Sequence, residues 1–214
     1  MQKTHPTTKR QQPETLKAMT IVYIHGASAT SESFTRIREH IPKRDLCIDY
    51  HSSNGFDTNL KKMTELLDSV EKVFFVAHSL GGIYAIHLAD KFPNKVLGAV
   101  TLSTPYGGSR EADYAKYFLP FSQLMRDIGT MSRPMSIIKD LRYPKDKWTN
   151  LVTSTGASPW IKQDNDGVVT IESMRAVTDM ELVEVPLNHY EVVISDKTIN
   201  IIKDRLARTP LGQF

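Results

Sequence analysis

Val73-Phe74-Phe75-Val76-Ala77-His78-Ser79-Leu80-Gly81-Gly82 is the stretch whose reading decides the fold. Its β-branched and aromatic start reads as a buried strand, its small residues as a sharp turn, and Ile83, Ile86 and Ala89 beyond it as the apolar side of a helix. Ser79 then stands at the apex of a strand, turn and helix. Such a turn strains its central residue and closes only if the residues two places to either side are small, as Ala77 and Gly81 are. The serine hydroxyl would sit above the sheet edge at the start of a helix near Leu80, where free backbone N–H groups and the helix dipole favour negative charge. A plain buried strand followed by a glycine-bearing helix fits the same residues, so the rest of the chain has to choose between the two.

Working outward, strand and helix patterns alternate. Thr20-Ile21-Val22-Tyr23-Ile24 reads as a buried strand running into His25-Gly26-Ala27-Ser28, and Phe34, Ile37 and Ile41 fall on one helical face that Pro42 closes. Residues 46–50 read as a second strand, and Leu60, Met63, Leu67 and Val70 mark an amphipathic helix before the deciding stretch. Residues 96–102, 151–153 and 181–185 supply three further strands, and Ile199, Ile202 and Leu206 line a terminal helix that Ser195 can cap. This alternation predicts an α/β fold, a mostly parallel sheet of about six strands with helices on both faces. An active site on such a sheet lies beyond the C-terminal ends of the strands.

A chain of 214 residues can bury roughly 70% of its unfolded surface in one core, so one domain over 19–214 is expected. The polar stretch 1–18, with Lys3, Lys9, Arg10 and Lys17 against the single acid Glu14, reads as a flexible tail. An organellar transit peptide shares its basic composition but requires an amphipathic stripe that is missing here. A formal charge of +3 is too small to argue for nucleic acid or a membrane surface. No run has the apolar length of a membrane span, and the start lacks the apolar core of a secretory signal. The single cysteine, Cys47, excludes an internal disulfide and reads as a small core residue, which makes the cytoplasm the default location.

The loops after the first, third, fifth and sixth strands carry His25-Gly26-Ala27, Ser79, Asp166 and His189, and all of them should open on one rim. A serine hydroxyl is a poor nucleophile until a base takes its proton, and a neutral imidazole oriented by a carboxylate does this near pH 7. His189 follows the last strand and suits the base, and His51 is the rival because it too follows a strand. His25 and His78 flank the turns, where they orient backbone by hydrogen bonds. The carboxylate has two candidates, Asp164 and Asp166, in Gln163-Asp164-Asn165-Asp166-Gly167-Val168-Val169. A Ca²⁺ loop of the EF-hand kind is excluded, since with Gly167 at the obligatory glycine its first ligand would be Lys162 and its last Ser173. Burial of Val168 and Val169 would pin the backbone nearer Asp166, leaving Asp164 more solvated.

With these residues in place the chain resembles a small α/β-hydrolase of the lipase and esterase type. The resemblance rests on Tyr23-Ile24-His25-Gly26-Ala27, Ala77-His78-Ser79-Leu80-Gly81-Gly82, the run from Leu102 to Ser109, Asn165-Asp166-Gly167-Val168-Val169 and Asn188-His189, in the order Ser, Asp, His. It implies Ser79 as nucleophile, His189 as general base, Asp166 as the acid and an oxyanion hole from the backbone N–H groups of Ala27 and Leu80. It also implies that no metal or organic cofactor is required. Ala77 departs from the pattern, where glycine is usual, and the resemblance implies that the first strand here corresponds to the family's third.

The stretch 106–147 is where the chain is individual. Tyr114, Tyr117, Phe118, Phe121, Leu124, Met125 and Ile128 recur at roughly helical spacing broken by Pro120, followed by Met131, Met135, Ile137 and Ile138. Hydrolases of this shape insert caps after the strand that ends near Ser103, so the stretch reads as a helical lid, with Phe121, Met125 and Tyr106 as substrate-contacting residues. Aromatic and Met side chains suit an acyl chain. Ordinary packing against the sheet accounts for the same stripe. The functional expectation is a serine hydrolase of carboxylic esters acting on a small, apolar or lipid-like substrate. A thioesterase, amidase or acyltransferase would use the same triad, and a non-catalytic binding module would need none of it. Oligomeric state is not legible in the sequence.

Overall fold

The computed structural model describes residues 19–109 and 123–209. Their strands are β1 (Met19–Ile24), β2 (Asp45–Ile48), β3 (Lys72–His78), β4 (Val96–Leu102), β5 (Trp148–Thr153) and β6 (Glu181–Val185). They form one six-stranded sheet in the order β2-β1-β3-β4-β5-β6, and every neighbouring pair is parallel. All six strands coincide with expected ones. The shift lies in boundaries, since β2 ends at Ile48 and leaves Tyr50 beyond the strand.

Side chains alternate across a strand, so each strand serves two cores. Val22, Ile24, Phe75 and Ala77 face one side, where α2 (Phe56–Asp68) and α3 (Leu80–Lys91) cover them with Leu60, Met63, Leu67, Ile83 and Ile86. Ile21, Tyr23, Phe74 and Val76 face the other, under α1 (Thr35–His40) and its preceding 3₁₀ turn with Phe34 and Ile37, and under the terminal helix with Ile199, Ile202 and Leu206. Central strands buried on both faces must be apolar throughout, which is why β3 carries no alternating polar residue. Cys47 packs against the second core but is only half-buried, because β2 is an edge strand.

Between β4 and β5, the described part of the expected lid comprises two short helices, α4 (Gln123–Ile128) and α5 (Arg133–Ser136), and 3₁₀ turns. The stripe divides there. Met135 and Ile138 are buried in the first core, held down where His87 of α3 donates from Nε2 to the Pro134 carbonyl at 2.8 Å. Met131, by contrast, is largely exposed. Tyr114, Tyr117, Phe118 and Phe121, like the tail at 1–18, lie outside the described residues. The remaining helices are α6 (Ile171–Met174) and α7 (Asp196–Ala207), the latter capped by Ser195, whose side chain accepts from Lys197 N at 3.2 Å. Among the described residues no helix is long and apolar enough to cross a membrane.

Two glycines separate crowding from conformation. A Cβ on Gly81 would lie 2.1 Å from the Ile24 carbonyl oxygen and 2.6 Å from that of His25. Both obstacles are backbone, so Gly81→Ala should cost about 3 kcal/mol or more by prying α3 from the end of β1. Gly167 has φ +101° and nothing within 4 Å of a built Cβ, so Gly167→Ala should cost only about 1–2 kcal/mol, through backbone strain alone. Urea unfolding of both variants checks the order. Equal losses would mean that the α3–β1 contact does not limit the fold.

Candidate active site

β3 ends at His78 and α3 begins at Leu80, so one residue makes the whole turn. That residue, Ser79, has φ 52° and ψ −123°, a conformation that a side-chain-bearing residue keeps only when its surroundings fix it. Its N–H donates to the Leu102 carbonyl at 2.8 Å, and its carbonyl accepts from Gly82 N at 2.9 Å. Gly82 sits against Thr104, whose Oγ1 would be 2.0 Å from a built Cβ. Small residues on the helix side thus let α3 press onto β1 and β4 while the serine side chain remains partly accessible. Leu80 N belongs to the first turn of α3, where no carbonyl of the helix lies below it to accept.

The loop after β1 approaches the same turn. A Cβ on Gly26 would lie 2.9 Å from His78 Nδ1 and 3.2 Å from Ser79 Cβ, so Gly26 brings the following residue, Ala27, beside the elbow. His25 fixes this loop: its Nδ1–H donates to the Gly26 carbonyl at 2.7 Å, and its Nε2 accepts from Tyr50 N at 3.2 Å. Tyr50 stacks on the His25 ring at 4.4 Å and donates its hydroxyl to the His25 carbonyl at 2.9 Å. His25 is thereby a backbone-orienting group, the role read from its place beside the turn.

Asp166 and His189 meet although 23 residues separate them. His189 Nδ1 lies 2.8 Å from Asp166 Oδ2, and since an ionised carboxylate can only accept, Nδ1 carries the proton and Nε2 is the basic nitrogen. The same Oδ2 accepts from Thr153 Oγ1 at 2.5 Å, while Oδ1 accepts from Val168 N at 3.0 Å and Val169 N at 2.8 Å. His189 N also donates to the Asp166 carbonyl at 3.1 Å, which ties the two loops together. Burial alone would raise the Asp166 carboxyl, but the hydrogen bonds and charge of His189, with those of Thr153 and Val169, outweigh it and hold the group below its ordinary range. Asp164 is exposed. The expected anchoring of this loop by two buried valines is corrected in part: Val169 is buried but Val168 is 42% exposed, so it is the backbone amides of both that grip Asp166.

His51, the rival base, is exposed, and its carbonyl accepts from Asn59 Nδ2 at 2.9 Å. His78 links Ser79 to the His189 loop, with Nε2–H donating to the His189 carbonyl at 2.9 Å and its ring centroid 4.7 Å from that of His189. Burial, then the neighbouring His189, lower the His78 pKa to about 3. Near neutral pH it is therefore uncharged and adds no positive charge beside His189.

Ser79, Ala27 and Leu80 open on a cavity of about 430 Å³. Leu124, Met125 and Ile128 of α4 line it together with Trp160, Ile161 and Val168. Met125 is thus where a substrate contact was expected. Tyr106 is not: it is buried, donating its hydroxyl to Thr101 Oγ1 at 3.1 Å and accepting from Trp148 Nε1 at 2.8 Å. It fastens β4 to β5 and does not line the Ser79 cavity. Trp160, 85% exposed at the rim, escaped the sequence reading, because a lone aromatic in a polar loop has no periodicity to mark it.

Residues 21–194 match the model of the alpha/beta hydrolase family. No curated protein sequence matches the chain significantly. Among solved structures, a lipase of Bacillus licheniformis in its mature form superposes with a TM-score of 0.66 at 18% identity, over 93% of this chain and 95% of that one. In the propeptide form of that lipase the chain covers 50% of the structure. A lipase-esterase related protein of Clostridium acetobutylicum gives a TM-score of 0.61 at 12% identity, covering 87% of this chain and 93% of that one. Tomato methylketone synthase I, complexed with 2-tridecanone, gives 0.58 at 13% identity, covering 87% of this chain and 97% of that one. At these identities the likeness is one of fold, and it agrees with the family match, which spans most of the sequence: the chain belongs to the alpha/beta hydrolase family.

Proposed function

We propose that the protein is a serine hydrolase that cleaves carboxylic esters with an apolar acyl group. The observation that carries this reading is the buried Asp166–His189 pair, whose loop is tied by a hydrogen bond to His78, the residue next to a strained Ser79 that opens on an apolar cavity. Ser79 Oγ attacks the ester carbonyl carbon while His189 Nε2 takes its proton, and Asp166 balances the imidazolium that forms. The backbone N–H groups of Ala27 and Leu80 receive the negative oxygen, aided by the positive end of α3. Collapse of the tetrahedral intermediate expels the alcohol, which takes the proton back from His189. Water then repeats the cycle on the acyl-enzyme and releases the acid. The walls of Leu124, Met125, Ile128 and Trp160 suit the acyl chain, so the lid reading falls on α4, while the segment around Met135 and Ile138 belongs to the core.

A fluorophosphonate should label the protein once, and Ser79→Ala should abolish both labelling and turnover of an activated ester. Labelling that persists in the variant, at the exposed Ser28 for instance, would overturn the assignment of the nucleophile.

Asp166→Asn should lower kcat/KM by up to about 10⁴, because His189 loses the charge that stabilises its protonated form and can be locked in the wrong tautomer, whereas Asp164→Asn should stay within about tenfold. A carboxyl held below its unfolded pKa of about 3.9 stabilises the fold above that pH and loses the contribution as pH falls through the lowered value. Acid unfolding of Asp166→Asn should therefore be flatter below about pH 4 than that of the parent. Impairment of Asp164→Asn instead would transfer the role to the other carboxylate.

Met125→Ala should shift the preference between long and short acyl esters by about 1–3 kcal/mol, the worth of one apolar contact. Relative kcat/KM across a series of acyl chain lengths measures it. A uniform loss with a lowered Tm would mean that Met125 serves packing alone.

A further inference from the structure

The acid of the site is not the end of its hydrogen-bond chain. Thr153, the last residue of β5, donates its hydroxyl to Asp166 Oδ2, the same oxygen that accepts from His189 Nδ1. A hydroxyl has one proton, so the 2.8 Å contact between Thr153 Oγ1 and Ser103 Oγ must run from Ser103 to Thr153. Ser103, just past the end of β4, has φ 51° and is fully buried, as is Thr153. A serine in that conformation persists only where the surroundings hold it. The order is therefore fixed: Ser103 O–H to Thr153 O–H to Asp166 carboxylate to His189 N–H. Donors linked in series polarise one another, so the outer hydroxyl strengthens the inner one.

We propose that Ser103 and Thr153 are positioning residues that tune the basicity of Asp166 and, through it, the pH at which His189 becomes an effective base. This rests on the reading of Ser79, His189 and Asp166 as a catalytic triad. Orientation of the carboxylate does not need the hydroxyls, because Oδ1 is already held by Val168 N and Val169 N. What Thr153 changes is the charge on Oδ2. A carboxylate oxygen that receives a neutral donor as well as His189 offers less of its charge to the imidazolium, so removing the hydroxyl should leave more of that charge facing His189. Among the described residues, the titratable rings that face the pair are His78 from the end of β3, held neutral by burial and by its neighbour His189, and the phenol of Tyr190, whose ring lies 5.6 Å from that of His189.

The test is the pH dependence of fluorophosphonate labelling at Ser79, a rate that needs neutral His189 but no knowledge of the natural substrate. Thr153→Val keeps the shape and removes the donor, and its acid limb should move up by about half a pH unit. Thr153→Ser restores a hydroxyl and should return the limb to that of the parent. Ser103→Ala leaves the inner donor in place and should move the limb in the same direction by less. A limb unmoved in Thr153→Val, or moved equally in Thr153→Ser, overturns the inference. Should Thr153→Val fail to fold, Ser103→Ala decides by the same criterion, with the double variant removing any stranded hydroxyl. Absence of labelling in the parent protein would instead strike the triad reading itself, so the two failures are distinguishable.

Discussion

The approach of α3 to the end of β1 is the constraint on which the rest of the site depends. Gly81 lies where a Cβ would collide with the carbonyl oxygens of Ile24 and His25. Because it has no Cβ, the helix starts one residue after the strand ends, and the single residue between them must take φ 52°. The strain at Ser79 is thus a consequence of layer packing, and the core on that face supplies the energy to maintain it. The same contact sets the direction of the helix dipole and brings Gly26 against His78.

A second group of contacts makes the electrostatics possible. A buried carboxylate is costly unless its lone pairs are satisfied. Asp166 accepts from Thr153, Val168, Val169 and His189, so the charge survives burial without a cation being placed beside it. The partners come from β5, from its own loop and from the loop after β6, so the carboxylate also acts as a joint between segments distant in sequence. His78 complements this from β3 by tying down the His189 backbone while remaining uncharged.

The segment between β4 and β5 divides its apolar side chains between two tasks. Met135 and Ile138 enter the core beneath it, whereas Leu124, Met125 and Ile128 line the cavity beside Ser79. α4 is tied to the α2 side of the molecule through Asp127, whose Oδ2 accepts from Phe56 N at 2.9 Å. Half-burial raises the Asp127 carboxyl despite its donors Gln123 and Phe56. One stripe in sequence therefore serves stability at one end and the cavity at the other.

The sequence by itself determined the strands, the helices that cover them and the elbow. Parallel strands buried on both faces must be continuously apolar, and a turn as tight as that at Ser79 admits only small residues around it, so both leave marks within a short window. Proximity across the sheet leaves no such mark. His51 and His189 both follow strands, and only the path of the loop after β6 brings one of them to Asp166. Asp164 and Asp166 differ by the backbone amides that reach them, which depends on how residues 165–169 turn. Tyr106 reads like a cavity residue until Trp148 and Thr101 occupy its hydroxyl, and Thr153 and Ser103 read as ordinary strand ends until the loop folds Asp166 onto them. Local sterics and burial are written residue by residue, whereas hydrogen-bond partnerships between loops exist only once the sheet has set the loops side by side.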